Sequence, residues 1–242
     1  VFLSSTTGGQ PFRRLTVEGL KIVGSGGAYA RDNAATADQL ALQNVQGFSL
    51  RDVVSQDGGE NGIVIVRGSR DGIVRNITVS GADGHGLQIG GGGVAATVDD
   101  PGFLAKGAEV RGGQSGAHAR VEQIRGNRVW LSRLTQRQLT PGEELWSAGQ
   151  RSVIRDLEFC RNISVTGLRA FGNGQNVANA RGLFADLYIS HAEDISVEGI
   201  NLETPPDGVP ILVNNSRRIP CELPSRAGVI RARRTGEVIC AG

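Results

Sequence analysis

Hydrophobic residues in this chain recur in an eight-residue figure whose first, third, sixth and eighth positions are apolar. Ile163-Ser164-Val165-Thr166-Gly167-Leu168-Arg169-Ala170 carries it, Ile195-Ser196-Val197-Glu198-Gly199-Ile200-Asn201-Leu202 repeats it, and Leu15-Thr16-Val17-Glu18-Gly19-Leu20-Lys21-Ile22 carries it in the first half. Residues 48–55 and 72–79 are weaker copies. A period of two broken once by a two-residue step describes two short strands that meet at a corner, each burying one face. The second corner residue is Gly19, Asp52, Asn76, Gly167 or Gly199. These residue types accept positive φ at low steric cost, so the corner is expected to be left-handed backbone.

The copies begin 33, 24 and 32 residues apart, at 15, 48 and 72 and then at 163 and 195, within the spacing of solenoid coils with unequal loops. A further short apolar run ends six residues before a copy begins, as in Leu40-Ala41-Leu42, Val64-Ile65-Val66, Leu187-Tyr188-Ile189 and Ile211-Leu212-Val213. That makes three strands per coil. The pattern resembles the right-handed parallel β-helix of the pectate-lyase-like superfamily, and the resemblance implies an all-β fold over most of the chain.

The register is lost after Gly90-Gly91-Gly92-Gly93. From 94 to 150 the chain reads instead as hairpins: Gly116 to Ile124 alternates, Arg125-Gly126-Asn127-Arg128 turns, and Val129-Trp130-Leu131-Ser132 alternates again. Pro141-Gly142-Glu143-Glu144-Leu145-Trp146 adds a turn and a strand. Val153-Ile154-Arg155-Asp156-Leu157-Glu158-Phe159 is expected to resume the solenoid, with Asp156 at a bend. The expected organisation is therefore a β-helix over 1–93, a small antiparallel β domain inserted at 94–150, and the rest of the β-helix over 151–242. The run from Ser115-Gly116-Ala117 through Val121, Ile124, Val129 and Leu131 to Gly142-Glu143 is similar to small β modules of bacteriophage virion and tail proteins.

Composition sharpens this picture in places. The 36 glycines in 242 residues suit an all-β chain. No apolar run is long enough to cross a bilayer, so membrane insertion is not expected. No basic-then-apolar leader precedes the first coil, which places any targeting segment outside this sequence. The net charge of +2 is no nucleic-acid signature. Lys21 and Lys106 are the only lysines, and a GC-rich genome accounts for the arginine excess more simply than a functional arginine surface does. Cys160, Cys221 and Cys240 have no metal-ligand spacing, and neither a metal nor a cofactor is implied. Cys221 stands where the repeat turns inward, as a buried thiol or as the partner of Cys240 in a disulfide.

Candidate chemistry is sparse. Gly84-His85-Gly86 resembles an element of polygalacturonase-type glycosidases, but the paired aspartates and the Arg-x-Lys element of that family have no counterpart. Asn61-Gly62-Ile63 and Arg181-Gly182-Leu183 put the same polar-Gly-apolar start on other coils, so His85 is expected first as a structural or surface residue and only second as a catalytic one. Inverting glycoside hydrolysis needs two carboxylates across a groove. Asp57, Glu60 and Asp83, with Asp186 and Glu193, are the acids that neighbouring loops could bring together, and Asp57, Glu60, Asp83 and His85 are the catalytic candidates. His191, beside Glu193 and Asp194, reads as a corner residue. Trp130 and Trp146 either stack on sugars or fill the core of the insertion. With Arg128, Arg67 and His191 they are the candidate carbohydrate contacts. The loop 24–38, with Tyr29, Arg31, Asp32 and Asn33, is polar and either functional or solvated.

Between the inward residues of the first strand of each coil, Ala41, Ile65, Tyr188 and Leu212 should point outward as an apolar ladder. Strands apolar on both faces are covered on both faces, and subunit contact in a homotrimer is the expected cover. Together these features resemble phage tailspikes and the head spikes of gene transfer agents. That resemblance implies a receptor-binding or structural domain of an extracellular phage-like particle, with host surface polysaccharide and other particle proteins as partners. The alternative on the same fold is a polysaccharide hydrolase or lyase using loop carboxylates. A third, a secreted adhesin, leaves the insertion without explanation.

Overall fold

In the computed structural model, residues 1–4, 11–24, 38–91, 93–132, 139–174, 184–203, 209–214, 216–222, 230–233 and 238–241 are described. The loop residues Tyr29, Arg31, Asp32 and Asn33 lie outside them. The chain forms two compact units, 1–90 with 160–242, and 91–159.

The first unit is a parallel β-helix of two sheets. One has seven strands in the order β1 (Phe2–Ser4), β4 (Leu40–Gln43), β7 (Ile63–Val66), β9 (Leu87–Gly90), β17 (Ala185–Ser190), β20 (Val209–Asn214) and β22 (Ile230–Arg233). The other runs β2 (Phe12–Glu18), β5 (Val45–Arg51), β8 (Arg70–Ser80), β16 (Cys160–Phe171), β18 (Ala192–Glu198), β21 (Ile219–Glu222) and β23 (Val238–Ala241). The short β3 (Lys21–Val23), β6 (Val54–Gln56) and β19 (Asn201–Leu202) belong to this second sheet, as does the far end of β8 and of β16 beyond the corner. The third strand of the expected coil is thus an arm of the second sheet. The chain alternates between the sheets, and inward Leu, Ile and Val from both, with Phe48, form one core.

The repeat has a direct steric basis. All five corner residues take positive φ: Gly19 65°, Asp52 50°, Asn76 52°, Gly167 68° and Gly199 56°. The weak copy at Gly72 is explained by its neighbour in the stack. Phe48 lies opposite Gly72, and a Cβ there would sit 2.0 Å from the Phe48 ring. One large and one absent side chain share the space of two ordinary ones.

Ile65 does not point outward. The pairing is Leu40 with Ile63 and Leu42 with Ile65, so Ile65 faces the core and Val64 takes the outer row with Ala41, Tyr188 and Leu212. Ile63–Val66 is apolar at every position and gives no phase, and one extra residue at the Arg67-Gly68 corner shifts the frame by one. Ala41, Ile65, Tyr188 and Leu212 are moreover all buried within the single chain, at 1%, 0%, 9% and 8% exposure. The exposed ladder expected for subunit contact is therefore not present at these residues.

The second unit is a closed antiparallel barrel in the order β10 (Val94–Val98), β13 (Arg128–Leu131), β12 (His118–Arg125), β11 (Glu109–Gly112), β14 (Glu144–Ser147) and β15 (Gln150–Glu158). Its last strand corrects the expected boundary at 150. Residues 150–158 pair antiparallel with β10 and β14, Asp156 lies opposite Thr97, and the solenoid resumes at Cys160. An amphipathic strand has a period of two in either fold, so alternation alone could not assign it. Ala95 pairs with Glu158, which brings the two ends of the barrel together.

A carboxylate holds the barrel's turns. Glu143, 1% exposed, accepts from the Ser115 amide (3.0 Å) and hydroxyl (2.9 Å), from the Gln114 amide (3.3 Å) and from the Thr140 amide. A Cβ on Gly112 would come within 2.6 Å of its Oε2. The small residues and the glutamate of the sequence signature thus meet at one buried anion.

Candidate functional site

The outer faces of the two helical sheets differ. The seven-stranded sheet buries Ala41, Val64, Tyr188 and Leu212 of its outer row, whereas the ten-stranded sheet exposes polar side chains in register. Ser49, Ile73, Ser164 and Ser196 form one outward row, next to Arg51, Arg75, Thr166 and Glu198. Just before them the strands bend at Asp71, Asn162, Asp194 and Arg218, whose φ values of 57°, 53°, 54° and 52° tip their side chains out of the pleat.

An open cleft of about 320 Å³ follows these rows, lined by Asp71, Gly72, Ile73, Asn162, Ile163, Ser164, Asp194 and Ser196. Ile73, 46% exposed, offers an apolar surface in the middle of oxygen and amide groups. Asn162 donates to Asp71 Oδ1 at 2.9 Å and Gln46 donates to its Oδ2 at 3.2 Å. Arg218 donates to both oxygens of Asp194, at 2.5 and 2.8 Å, and this pairing holds the Asp194 carboxyl below its ordinary range. Glu193 is buried beside it and bound by Arg217.

Equivalent groups in neighbouring coils repeat at the strand spacing of about 4.8 Å, so Asp71 and Asp194 stand roughly 9–10 Å apart along the stack. That is the right scale for an inverting carboxylate pair. The chemistry does not follow the spacing. Both oxygens of each carboxylate accept from side-chain N–H groups. Burial pushes the Asp38 and Asp186 carboxyls upward, and neither lines the cleft. Asp186 is fully buried and accepts from Asn173 at 2.7 Å. Loss of solvation pushes it up to about 6. Among the described residues that line the cleft the acids are Asp71 and Asp194, and both are held by side-chain N–H groups.

The expected catalytic residues sit at a corner, in stacked loops and beside a strand of the seven-stranded sheet. Asp57 is a corner residue with φ 56°, and its Oδ1 lies where a Cβ of Gly81 would be. Glu60 and Asp83 sit in stacked loops whose backbones bond across coils, through Gly84 N to Glu60 O and Asp83 N to Gly58 O. His85 Nδ1 accepts from the Ala185 amide at 3.1 Å, which places the proton of the neutral ring on Nε2. Its ring stacks on Tyr188 at 4.3 Å.

The carbohydrate candidates are divided between the two units, Arg67 and His191 in the β-helix and Arg128, Trp130 and Trp146 in the barrel. Arg67 and His191 are positive-φ corner residues, at 57° and 49°. Trp130 and Trp146 are outside the barrel core, half-buried on its outer surface. Arg128 lies over Trp130 at 4.5 Å and Arg151 lies 5.5 Å from the Trp146 centroid. Cys160 is buried and its thiol is pushed up to about 12 by burial, so it is chemically inert. Cys221 is opposite Cys240 in the parallel register.

Sequence reading passed over the cleft because its residues are scattered between 71 and 196. They occupy equal positions in three aligned repeats, Asp71-Gly72-Ile73, Asn162-Ile163-Ser164 and Asp194-Ile195-Ser196. An Asp or Asn immediately before the first core position was the available signal.

No family model matches the chain, and no curated protein matches it. Among solved structures it is similar to the A-module of mannuronan C-5 epimerase AlgE6 from Azotobacter vinelandii. The identity is 9% and the TM-score 0.40, over 95% of this chain and 54% of the epimerase chain, so this chain spans about half the length of that structure. A likeness at this level carries no conclusion about activity.

Proposed function

We propose that this chain is a carbohydrate-binding β-helix that holds a polysaccharide without cleaving it, along the outer face of its ten-stranded sheet. The observation that carries this is the cleft around Ile73, where Asp71, Asn162, Ser164, Asp194 and Ser196 surround an exposed apolar side chain. Sugars present hydroxyls around an apolar ring face, and a binding site for them combines fixed acceptors and donors with an apolar contact. The equal spacing of coils suits a polymer whose units repeat. The wider setting, a spike of an extracellular phage-like particle that attaches to host surface polysaccharide, is supported by the similarity of residues 115–143 to virion modules.

The test is calorimetric titration with capsular polysaccharide fragments, using the parent chain and the exposed variant Ile73→Arg, together with assays for new reducing ends and for unsaturated uronates. Saturable binding, weakened at least about tenfold in the variant and without product formation, is the expected result. Release of reducing ends would turn the reading to a hydrolase, and unsaturated uronates to a lyase. Unchanged affinity of Ile73→Arg would remove the cleft as the site.

A further inference from the structure

The inserted barrel carries a cross-strand row of side chains that lies outside its apolar core. Across four neighbouring strands, His118 lies opposite Arg111, Arg111 opposite Trp146, and Trp146 opposite Arg151. The residues that alternate with them, Ala119, Val110 and Leu145, are buried, so the row is on the outer surface. His118, Arg111 and Arg151 are exposed and Trp146 is half-buried.

The indole is held in place. A Cβ on Gly113 would come within 2.9 Å of Trp146 Nε1, so glycine there leaves the room the ring occupies. Arg151 reaches Glu144 at 2.5 Å while remaining beside the ring. Arg111 has no carboxylate opposite it on either neighbouring strand, where its partners are His118 and Trp146. Cross-strand neighbours in a sheet ordinarily offset one another's charge. Here arginines stand on both strands that neighbour Trp146, with Glu144 as the acid adjoining Arg151.

We propose that this row binds an anionic pyranose, a uronic-acid unit of an acidic polysaccharide. The apolar face of the sugar packs against the Trp146 indole, and its carboxylate takes the paired N–H groups of Arg111, with Arg151 on the other side of the ring. The site is distinct in chemistry from the cleft of the β-helix. The charged groups that line that cleft are the carboxylates of Asp71 and Asp194, whereas the barrel row presents Arg111 and Arg151. A nucleic acid fits less well, because its affinity comes from many phosphate contacts and this chain has a net charge of only +2.

The chain has two tryptophans, so Trp130→Phe leaves Trp146 as the sole indole reporter. Its emission is followed while the full chain is titrated with an oligogalacturonate, a neutral cello-oligosaccharide of equal length and a single-stranded oligonucleotide. The expected result is a saturable change with the oligogalacturonate alone, weakening as salt is raised. Arg111→Ala should reduce that affinity at least about tenfold, and Arg111→Lys should recover only part of it. Calorimetry of the unsubstituted chain against Arg111→Ala gives the same comparison without the Trp130 change. An unresponsive indole, an equal response to the neutral sugar, tighter binding of the oligonucleotide, or full affinity in Arg111→Ala would each overturn the assignment. The cleft is read by its own Ile73 variant, so one site can fail while the other stands.

Discussion

The Asp186 carboxyl has no solvent contact, and the hydrogen bond from Asn173 restores only part of the hydration it gives up. Its folded pKa of about 6 lies above the ordinary 3.8. The folded state therefore holds this proton more tightly than the unfolded chain does. The resulting stabilisation is complete below about pH 4 and is lost as pH rises through 6, by on the order of 3 kcal/mol. Asp186→Asn removes the titration. The difference in unfolding free energy between parent and variant, measured by urea titration, should thus move against the parent between pH 4 and pH 7 and then level off. A constant difference would mean that the carboxyl is hydrated. At this scale the sequence was most legible where sterics are local: an Asp, Asn or Gly at a corner announces its own φ. It was least legible at Gly72, whose missing side chain is explained by Phe48, a residue 24 positions away that register sets beside it.

Strands were legible as strands, but the phase of Ile63–Val66 and the partners of Gln150–Glu158 were not. Ile63–Val66 has no polar position to mark its outer face, and a single extra corner residue turned Ile65 inward. Residues 150–158 alternate as either a solenoid or a barrel strand would, and only pairing with β10 and β14 decides between them. The glycines, alanine and glutamate of the inserted module resembled a signature before they had a reason. Glu143 supplies one by gathering donors from two turns. Glu143→Ala leaves several buried N–H and O–H groups without an acceptor and should cost the barrel on the order of 3 kcal/mol or more. Both tryptophans are in the barrel, so their emission reports its melting, while far-ultraviolet circular dichroism follows the chain as a whole. Loss of the tryptophan transition with most of the β signal retained is the expected outcome. Unchanged melting would mean that the latch is idle.

For the whole molecule, the corrected register changes what a charge on the seven-stranded sheet should do. Ile65→Arg introduces a guanidinium into the core of the β-helix, where a buried unpaired charge costs several kcal/mol. Sedimentation velocity and circular dichroism should therefore show an unfolded or aggregated chain. Folded subunits released from a trimer would instead restore Ile65 to an outer contact. A trimer, if formed, has to use a surface other than the row that includes Ala41, Tyr188 and Leu212, because the single chain already covers that row.

The pairing of Ala95 with Glu158 has a kinetic meaning. β8 and β16 are adjacent in the β-helix, with Val74 beside Val165, although the whole of 91–159 separates them in the chain. Closing a random loop of that length costs roughly 3–4 kcal/mol of entropy before any contact rewards it. A barrel that folds first, through local hairpins, brings its own ends together and removes most of that cost. For the growing stack, β16 then follows β9 almost as the next residue would. A large interruption in sequence becomes a short step in contact order, so it need not slow the zipping of the coils.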